Sequence, residues 1–313
     1  MYKLLRNENM KLYSKFGTWL MMAILLLVVG LVGLISKYDA PPPDVSQWRS
    51  HIEQNIQAIQ NSLQNERNPQ IARQLEDQLK INEYALSHGF VPIDYTAWSY
   101  TKEAISMIPL ISLFVIVVAG GIVANEFSWG TIKSLLVKPH SRSKILLAKY
   151  MSVLQYALVL LILLFAATFA CKGLLFDFSY WDTPYLSVDA QGHVQEGNVI
   201  LHLFATYLLH SVELLFVATI AFMISTIFRN PSLAIGSSIL LLVLGGLATN
   251  LLAVKYDWIK YSLFANTSLT MYQDGTPLIE GMTLPFSLIV LGSYFAVFMV
   301  ITWTVFTKRD IVR

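Results

Sequence analysis

Six long apolar runs constrain the fold of this chain more than any other feature. A helix crosses the ~30 Å hydrocarbon core of a bilayer with about 20 mostly apolar residues, because each residue adds about 1.5 Å. The runs occupy residues 16–36, 105–124, 145–171, 199–228, 232–254 and 285–307. Only 13% of the residues are charged, against about 25% in ordinary soluble domains. The sequence therefore predicts an all-α integral membrane protein with six transmembrane helices, not a water-soluble enzyme.

Basic residues are distributed unevenly between the two sets of segments that connect these runs. Thirteen of the 22 Lys and Arg residues lie in or beside one set, which includes residues 1–15, 125–144 and 308–313 and carries only three acidic residues. The opposite set carries nine basic and 16 acidic residues. Segments rich in Lys and Arg stay in the cytoplasm, so the pattern predicts that both termini are cytoplasmic.

Three further segments have distinct patterns. Apolar residues recur at helical spacing within 37–104, which predicts an extracellular helical hairpin that packs at the mouth of the protein, contacts its own copy in a dimer or binds substrate. The segment 172–198 is predicted to be an aromatic extracellular loop, and 255–284 a similar loop that re-enters the outer leaflet. Residues 1–15 are predicted to form a cytoplasmic helix in the membrane interface, or else a positively charged anchor that only sets topology.

The connection between the second and third runs, residues 125–144, is the most informative segment. Its apolar residues Phe127, Trp129 and Ile132 alternate with polar ones at roughly helical spacing, and Pro139 ends the pattern. This spacing predicts a short amphipathic helix on the cytoplasmic face that fits a groove in another protein. The alternative is an ordinary interfacial loop whose Trp129 anchors among lipid headgroups.

The same segment resembles a known family. The pattern Glu126-x-x-x-Gly130-Thr131, followed by Leu135-Leu136, Pro139, Ser141-Arg142 and Lys149, is similar to that of ABC-2 type permeases, the membrane subunits of bacterial ATP-binding-cassette exporters. The resemblance covers the six-span layout and is closest to the branch for peptide-antibiotic immunity and export. The chain differs from the best-known members of that family in its long segment after the first span.

The resemblance implies a permease in the bacterial cell membrane that moves an amphipathic substrate outward, such as an antimicrobial or toxin peptide. It implies two copies of a cytoplasmic ABC ATPase and a homodimer or pseudo-symmetric heterodimer of permeases. It also implies an ATPase-coupling role for residues Glu126, Phe127, Trp129, Gly130, Thr131, Leu135, Leu136, Pro139 and Arg142.

The chain itself carries no phosphate-binding loop of the form G-x-x-x-x-G-K-[ST]. We therefore expect no enzyme activity and no cofactor in this chain, with ATP and Mg²⁺ bound by the partner ATPase. The lipid bilayer is the other expected partner, and no nucleic acid is expected.

Ionisable residues inside the fourth run are the second candidate site. A charge at the bilayer centre costs at least ~2.5–3.5 kcal/mol, so Glu213 is expected to be protonated, paired or facing water. His202, Thr206, His210 and Glu213 share one helix face and are predicted to line a substrate path at the dimer interface. Alternatively, a His–Glu hydrogen bond only locks helix packing. No metal site is predicted, and an ion-driven secondary transporter or channel is the alternative function.

Overall fold

A computed structural model describes residues 1–38, 47–67, 69–95, 98–131, 141–175, 182–189, 192–273 and 277–308. Within these ranges the helices are α1 (Tyr2–Tyr13), α2 (Phe16–Tyr38), α3 (Trp48–Asn65), α4 (Pro69–His88), α5 (Ser99–Glu103), α6 (Ile108–Ser128), α7 (Arg142–Leu175), α8 (Val199–Phe228), α9 (Pro231–Ala253), α10 (Leu263–Thr267) and α11 (Leu284–Lys308). Strands β1 (Tyr185–Val188) and β2 (Val194–Gly197) pair antiparallel.

The six predicted spans are present as six long apolar helical segments. They are Phe16–Ile35, Ser99–Ser128, Arg142–Cys171, Val199–Phe228, Pro231–Ala253 and Leu284–Lys308. The chain is thus an all-α membrane protein with six candidate spanning helices, as its apolar runs predict.

Several helix boundaries differ from those predicted, and two of the differences concern the segment 125–144. Helix α6 continues past residue 124 to Ser128, and α7 begins at Arg142 instead of residue 145. Hydropathy sets the predicted boundary at the first charged residue, whereas Glu126 is accommodated inside the helix by partners from other parts of the chain. Residues 132–140 of the segment lie outside the described residues.

The turn between α8 and α9 has a backbone that its sequence explains. Arg229 adopts a left-handed conformation with φ of 53° and ends α8. The Asn230 side chain then accepts hydrogen bonds from the amides of Ser232 and Leu233 and so caps α9. Pro231 occupies the first helical position, where an amide donor is not needed.

The chain forms two compact units. The second unit comprises residues 26–106 and 164–206, and it contains α3, α4 and the two strands. Helices α3 and α4 lie against each other, and Trp48, Ile52 and Val91 form a small core there. The β-hairpin contacts α4, where the Tyr84 hydroxyl donates to the Glu196 carboxylate over 2.9 Å. The predicted loop 172–198 therefore contains two strands that its aromatic composition did not indicate.

The first unit comprises residues 1–25, 107–163 and 207–313. Within it α6 packs closely on α9. A Cβ atom added at Gly120 of α6 would lie only 2.9 Å from Cγ1 of Ile235 in α9, so only glycine fits at this contact without a shift. The segment predicted to re-enter the membrane forms the short helices Asp257–Tyr261, α10 and Leu269–Tyr272, which contact α9 and α11.

A buried polar network holds this segment together. The Asn266 amide donates to the carbonyls of Lys260 and Ser262 at 2.7 Å each, and its oxygen accepts from Ser287 Oγ at 2.6 Å. Asn266 is fully buried, so these hydrogen bonds are shielded from solvent.

Candidate functional site

Glu126 lies in the last turn of α6 and not at the start of a separate helix. The helix ends two residues later because Gly130, with φ of 71°, adopts the left-handed conformation typical of a helix C-terminus. Its amide donates to the Phe127 carbonyl over 3.2 Å. No described atom lies within 4 Å of the position of a Gly130 Cβ, so this glycine ends α6 and is not used there for close packing.

Four charged side chains from three helices meet at this end of α6. We call Glu8 and Lys11 of α1, Glu126 of α6 and Lys149 of α7 the charge quartet. The Lys149 ammonium lies 2.7 Å from a carboxylate oxygen of Glu8 and 2.7 Å from one of Glu126, and its side chain is only 1% exposed. The Lys11 ammonium lies 3.1 Å from each of the same two carboxylates.

The quartet alters the proton affinities of its α1 members. Burial alone would raise the pKa of Glu8, but the positive charge and hydrogen bond of Lys149, with a smaller contribution from Lys11, lower it overall. Burial alone would lower the pKa of Lys11, and the charges of Glu126 and Glu8 reverse this and raise it. Both shifts favour the ionised forms, so the pairing outweighs the cost of burial.

The quartet joins α1, α6 and α7 at one point, which the sequence did not predict. Its members are 23 to 141 positions apart in the chain, apart from the local pair Glu8 and Lys11. The available signals were weak: Glu8 and Lys11 share a helix face, and Lys149 is a lone charge in an apolar run. One oxygen of Glu126 is buried without a hydrogen-bond partner among the described residues.

The aromatic residues of the predicted coupling site contact basic side chains. The Arg229 guanidinium carbon lies 4.6 Å from the ring centroid of Phe127, and the Lys15 ammonium lies 5.4 Å from that of Trp129. Both distances are typical of cation–π contacts. Trp129 is nevertheless 64% exposed, so a large apolar surface is presented at the end of α6.

The remaining residues of the predicted coupling site divide into those that the structure describes and those that it does not. Thr131 donates from its hydroxyl to the Glu126 carbonyl over 3.4 Å, and Arg142 donates to the Thr307 carbonyl of α11 over 3.1 Å. Leu135, Leu136 and Pro139 lie outside the described residues.

The second candidate site is only partly assembled. His210 Nδ1 lies 3.4 Å from a Glu213 carboxylate oxygen, and both side chains are partly buried. His202 instead stacks on Tyr185 of β1 with ring centroids 3.6 Å apart, and the Thr206 hydroxyl donates to the His202 carbonyl within α8. His202 and Thr206 belong to the second unit and the His210–Glu213 pair to the first. Among the described residues, no group of three His, Cys, Asp or Glu side chains is placed to hold a metal ion.

Comparison with known proteins identifies relatives along the whole chain. Residues 69–312 match a family model described as "Protein of unknown function (DUF2705)". The chain is 44% identical over 318 residues to "Uncharacterized protein YhcI" of Bacillus subtilis (strain 168), and the alignment covers 99% of both proteins. It is 31% identical over 217 residues to "Uncharacterized membrane protein YdbK" of the same organism, over 68% of this chain and 81% of that protein. The apolar helices and the membrane-protein relative together identify a multi-pass membrane protein.

Proposed function

The chain belongs to the DUF2705 family, and we propose that it is the transmembrane permease subunit of a bacterial ATP-binding-cassette exporter. A separate cytoplasmic ATPase would bind ATP and Mg²⁺ and contact the coupling segment, residues 125–144. The observation that carries the proposal is the charge quartet, which ties the start of this segment to both spans that flank it.

The quartet supports this role because it joins the ends of α6 and α7 by a buried ion pair. Glu126 and Lys149 are buried and paired at 2.7 Å, and removing one partner of such a pair would leave an uncompensated charge. A displacement applied to the residues after α6 is therefore transmitted to the ends of α6 and α7 together. The exposed ring of Trp129 at the same end offers an apolar anchor of the kind that dominates protein interfaces.

The orientation follows from the distribution of charge. Both termini and the coupling segment lie in the cytoplasm under this proposal, because most Lys and Arg residues are on that side. Helices α3 and α4 then form an extracellular helical hairpin, and the β-hairpin lies on the same outer side.

The assembly we propose contains two permeases and two ATPase subunits. One chain has one coupling segment, whereas ATPases of the implied class act in pairs. The His210–Glu213 pair then contributes to the path of an amphipathic substrate, such as an antimicrobial or toxin peptide, between the two permeases. An ionisable pair within a spanning helix is retained where it faces a partner, a cavity or water.

The same pair favours the second candidate function, an ion-driven secondary transporter or channel. A carboxylate and an imidazole 3.4 Å apart within a span are the groups that proton relays use. This function requires no ATPase partner, so the two proposals differ in a directly measurable property.

Co-purification tests the exporter proposal. The tagged chain, extracted from its native membrane in mild detergent, is expected to retain an ABC ATPase subunit, and Trp129→Ala is expected to release it. Trp258→Ala is the matched control, since Trp258 is 62% exposed but lies in the segment between α9 and α11. Absence of any ATPase, or equal loss in both variants, would contradict the proposal.

A further inference from the structure

A polar seam joins α1 to α7 beyond the charge quartet. The Asn9 amide donates to the Gln155 side chain over 2.6 Å, and its oxygen accepts from Ser152 Oγ at 2.6 Å. Ser152 is fully buried. Helix α1 thus turns the polar Glu8 and Asn9 toward the protein beside the buried Leu12, whereas its Tyr2 and Met10 are 76% and 63% exposed.

These polar contacts are not expected of a helix held only by the membrane surface. A 12-residue helix is marginal in isolation, so contacts with the rest of the protein must stabilise it. A helix that only floats in the interface would leave Glu8 in water, because burying a carboxylate is costly unless it is paired. Glu8 is instead 5% exposed and bonded to Lys149.

From these contacts we infer that α1 is a fixed arm of the coupling segment, and that Lys149 is the positioning residue that holds Glu8 and Glu126 together. This inference rests on the proposed exporter function and extends it. Force applied after α6 reaches three spans: α6, α7 and, through α1, the adjoining start of α2. The buried hydroxyl of Thr18, which donates to the Leu12 carbonyl over 2.6 Å, braces the junction between α1 and α2.

Cysteine cross-linking in the full chain tests whether α1 is fixed. Cys171 is the only cysteine, so Cys171→Ser gives a clean background for the pair Asn9→Cys and Ser152→Cys, whose native side chains touch. We expect the disulfide to form readily in membranes. We also expect the locked complex to keep the transport and ATPase rates of its reduced form, since a fixed arm does not move relative to α7.

A second pair of variants tests the positioning role. Glu8→Gln keeps the Glu126–Lys149 and Glu126–Lys11 pairs but removes the buried Glu8–Lys149 pair between α1 and α7, so the disulfide yield should fall about tenfold or more, as expected when a buried ion pair loses one partner. The ATPase should still co-purify with this variant, but the permease should no longer stimulate the ATPase's rate of ATP hydrolysis. Glu53→Gln, on the exposed surface of α3, is the matched control and should change neither readout.

Three results would overturn the inference: no disulfide, a yield that Glu8→Gln leaves unchanged, or a locked complex that is inactive until reduced. Lys149→Arg should preserve the cross-link, because it keeps a cation at the centre of the quartet. Failure to recover any ATPase would refute the exporter function separately. The cross-linking yields would still decide whether the quartet fixes α1, so the two failures are distinguishable.

Discussion

At the residue scale, the charge quartet is formally neutral when all four groups are ionised. Each buried ion costs several kcal/mol to remove from water, and only close partners of opposite charge offset that cost. Lys149 has two carboxylates at 2.7 Å, which is the spacing of strong charge-assisted hydrogen bonds. Removing one member is therefore more harmful than replacing a matched pair by neutral groups of similar size.

The quartet should make stability depend on acid pH. Because the pKa of Glu8 is lowered in the folded protein, its contribution is complete above the ordinary value of 4.5 and is lost as the pH falls through the folded value. The pKa of Lys11 is raised in the folded protein, so its contribution to stability is complete below the ordinary value of 10.5. That contribution is lost as the pH rises through the higher folded value.

Thermal unfolding in detergent at about pH 7 and about pH 3 measures this effect. We expect the melting temperature to fall in acid, and Glu8→Gln to show a smaller fall than the native protein. An equal fall in both proteins would show that Glu8 does not carry the acid dependence.

Glu213 gives a second prediction at this scale. Glu213→Gln keeps the shape and a hydrogen-bonding group beside His210 but removes the charge, so assembly should be intact while export, or the resistance it confers, falls. Size-exclusion chromatography and a cell-survival assay measure the two effects. Glu83→Gln, on the exposed face of α4, is the control. Unchanged transport would remove Glu213 from the mechanism.

At the scale of elements, the segment between α9 and α11 depends on one glycine. The Phe264 ring of α10 lies so close to Gly245 of α9 that an added Cβ would be 2.1 Å from it. At Gly246, the next residue, no described atom lies within 4 Å of that position. The two neighbouring glycines therefore differ completely in the space around them.

We expect Gly245→Ala to displace α10 and destabilise the protein by about 1–3 kcal/mol, the usual cost of overpacking. Gly246→Ala should be neutral or slightly stabilising, because alanine favours the helix. Thermal unfolding compares the two, and Phe264→Leu should partly restore stability to Gly245→Ala. Equal melting temperatures for the two alanine variants would contradict the packing of α10 on α9.

The elements also show what a single sequence predicts. Spans are predictable because about 20 consecutive apolar residues suffice to identify one, and all six are present. The β-hairpin escaped prediction because its strands have four residues each and depend on contact with α4. The quartet escaped because pairing between Glu8 and Lys149 is a property of the folded chain, and neither residue alone signals it.

At the scale of the whole molecule, the spans differ in how far the protein encloses them. In the most apolar window of the span that contains α6, 72% of residues are buried, against 17% for α9 and 11% for α11. Apolar faces need no protein cover in a bilayer, since lipid tails are as apolar as leucine. Residues 125–128 belong to this most enclosed span and 129–131 follow it, so under the exporter proposal a displacement there would act on a largely buried helix.

Orientation is the last property on which the exporter proposal depends. Single cysteines at exposed positions in the Cys171→Ser background report it: Gln57→Cys in α3 and Lys3→Cys in α1. Because Lys and Arg are concentrated beside α1 and the coupling segment, we expect a membrane-impermeant maleimide to label Gln57→Cys in intact cells. Lys3→Cys should be labelled only after the membrane is permeabilised. The reverse pattern would place Glu126 and Trp129 outside the cell, where no cytoplasmic ATPase can reach them, and the charge quartet would then need a role that involves no nucleotide.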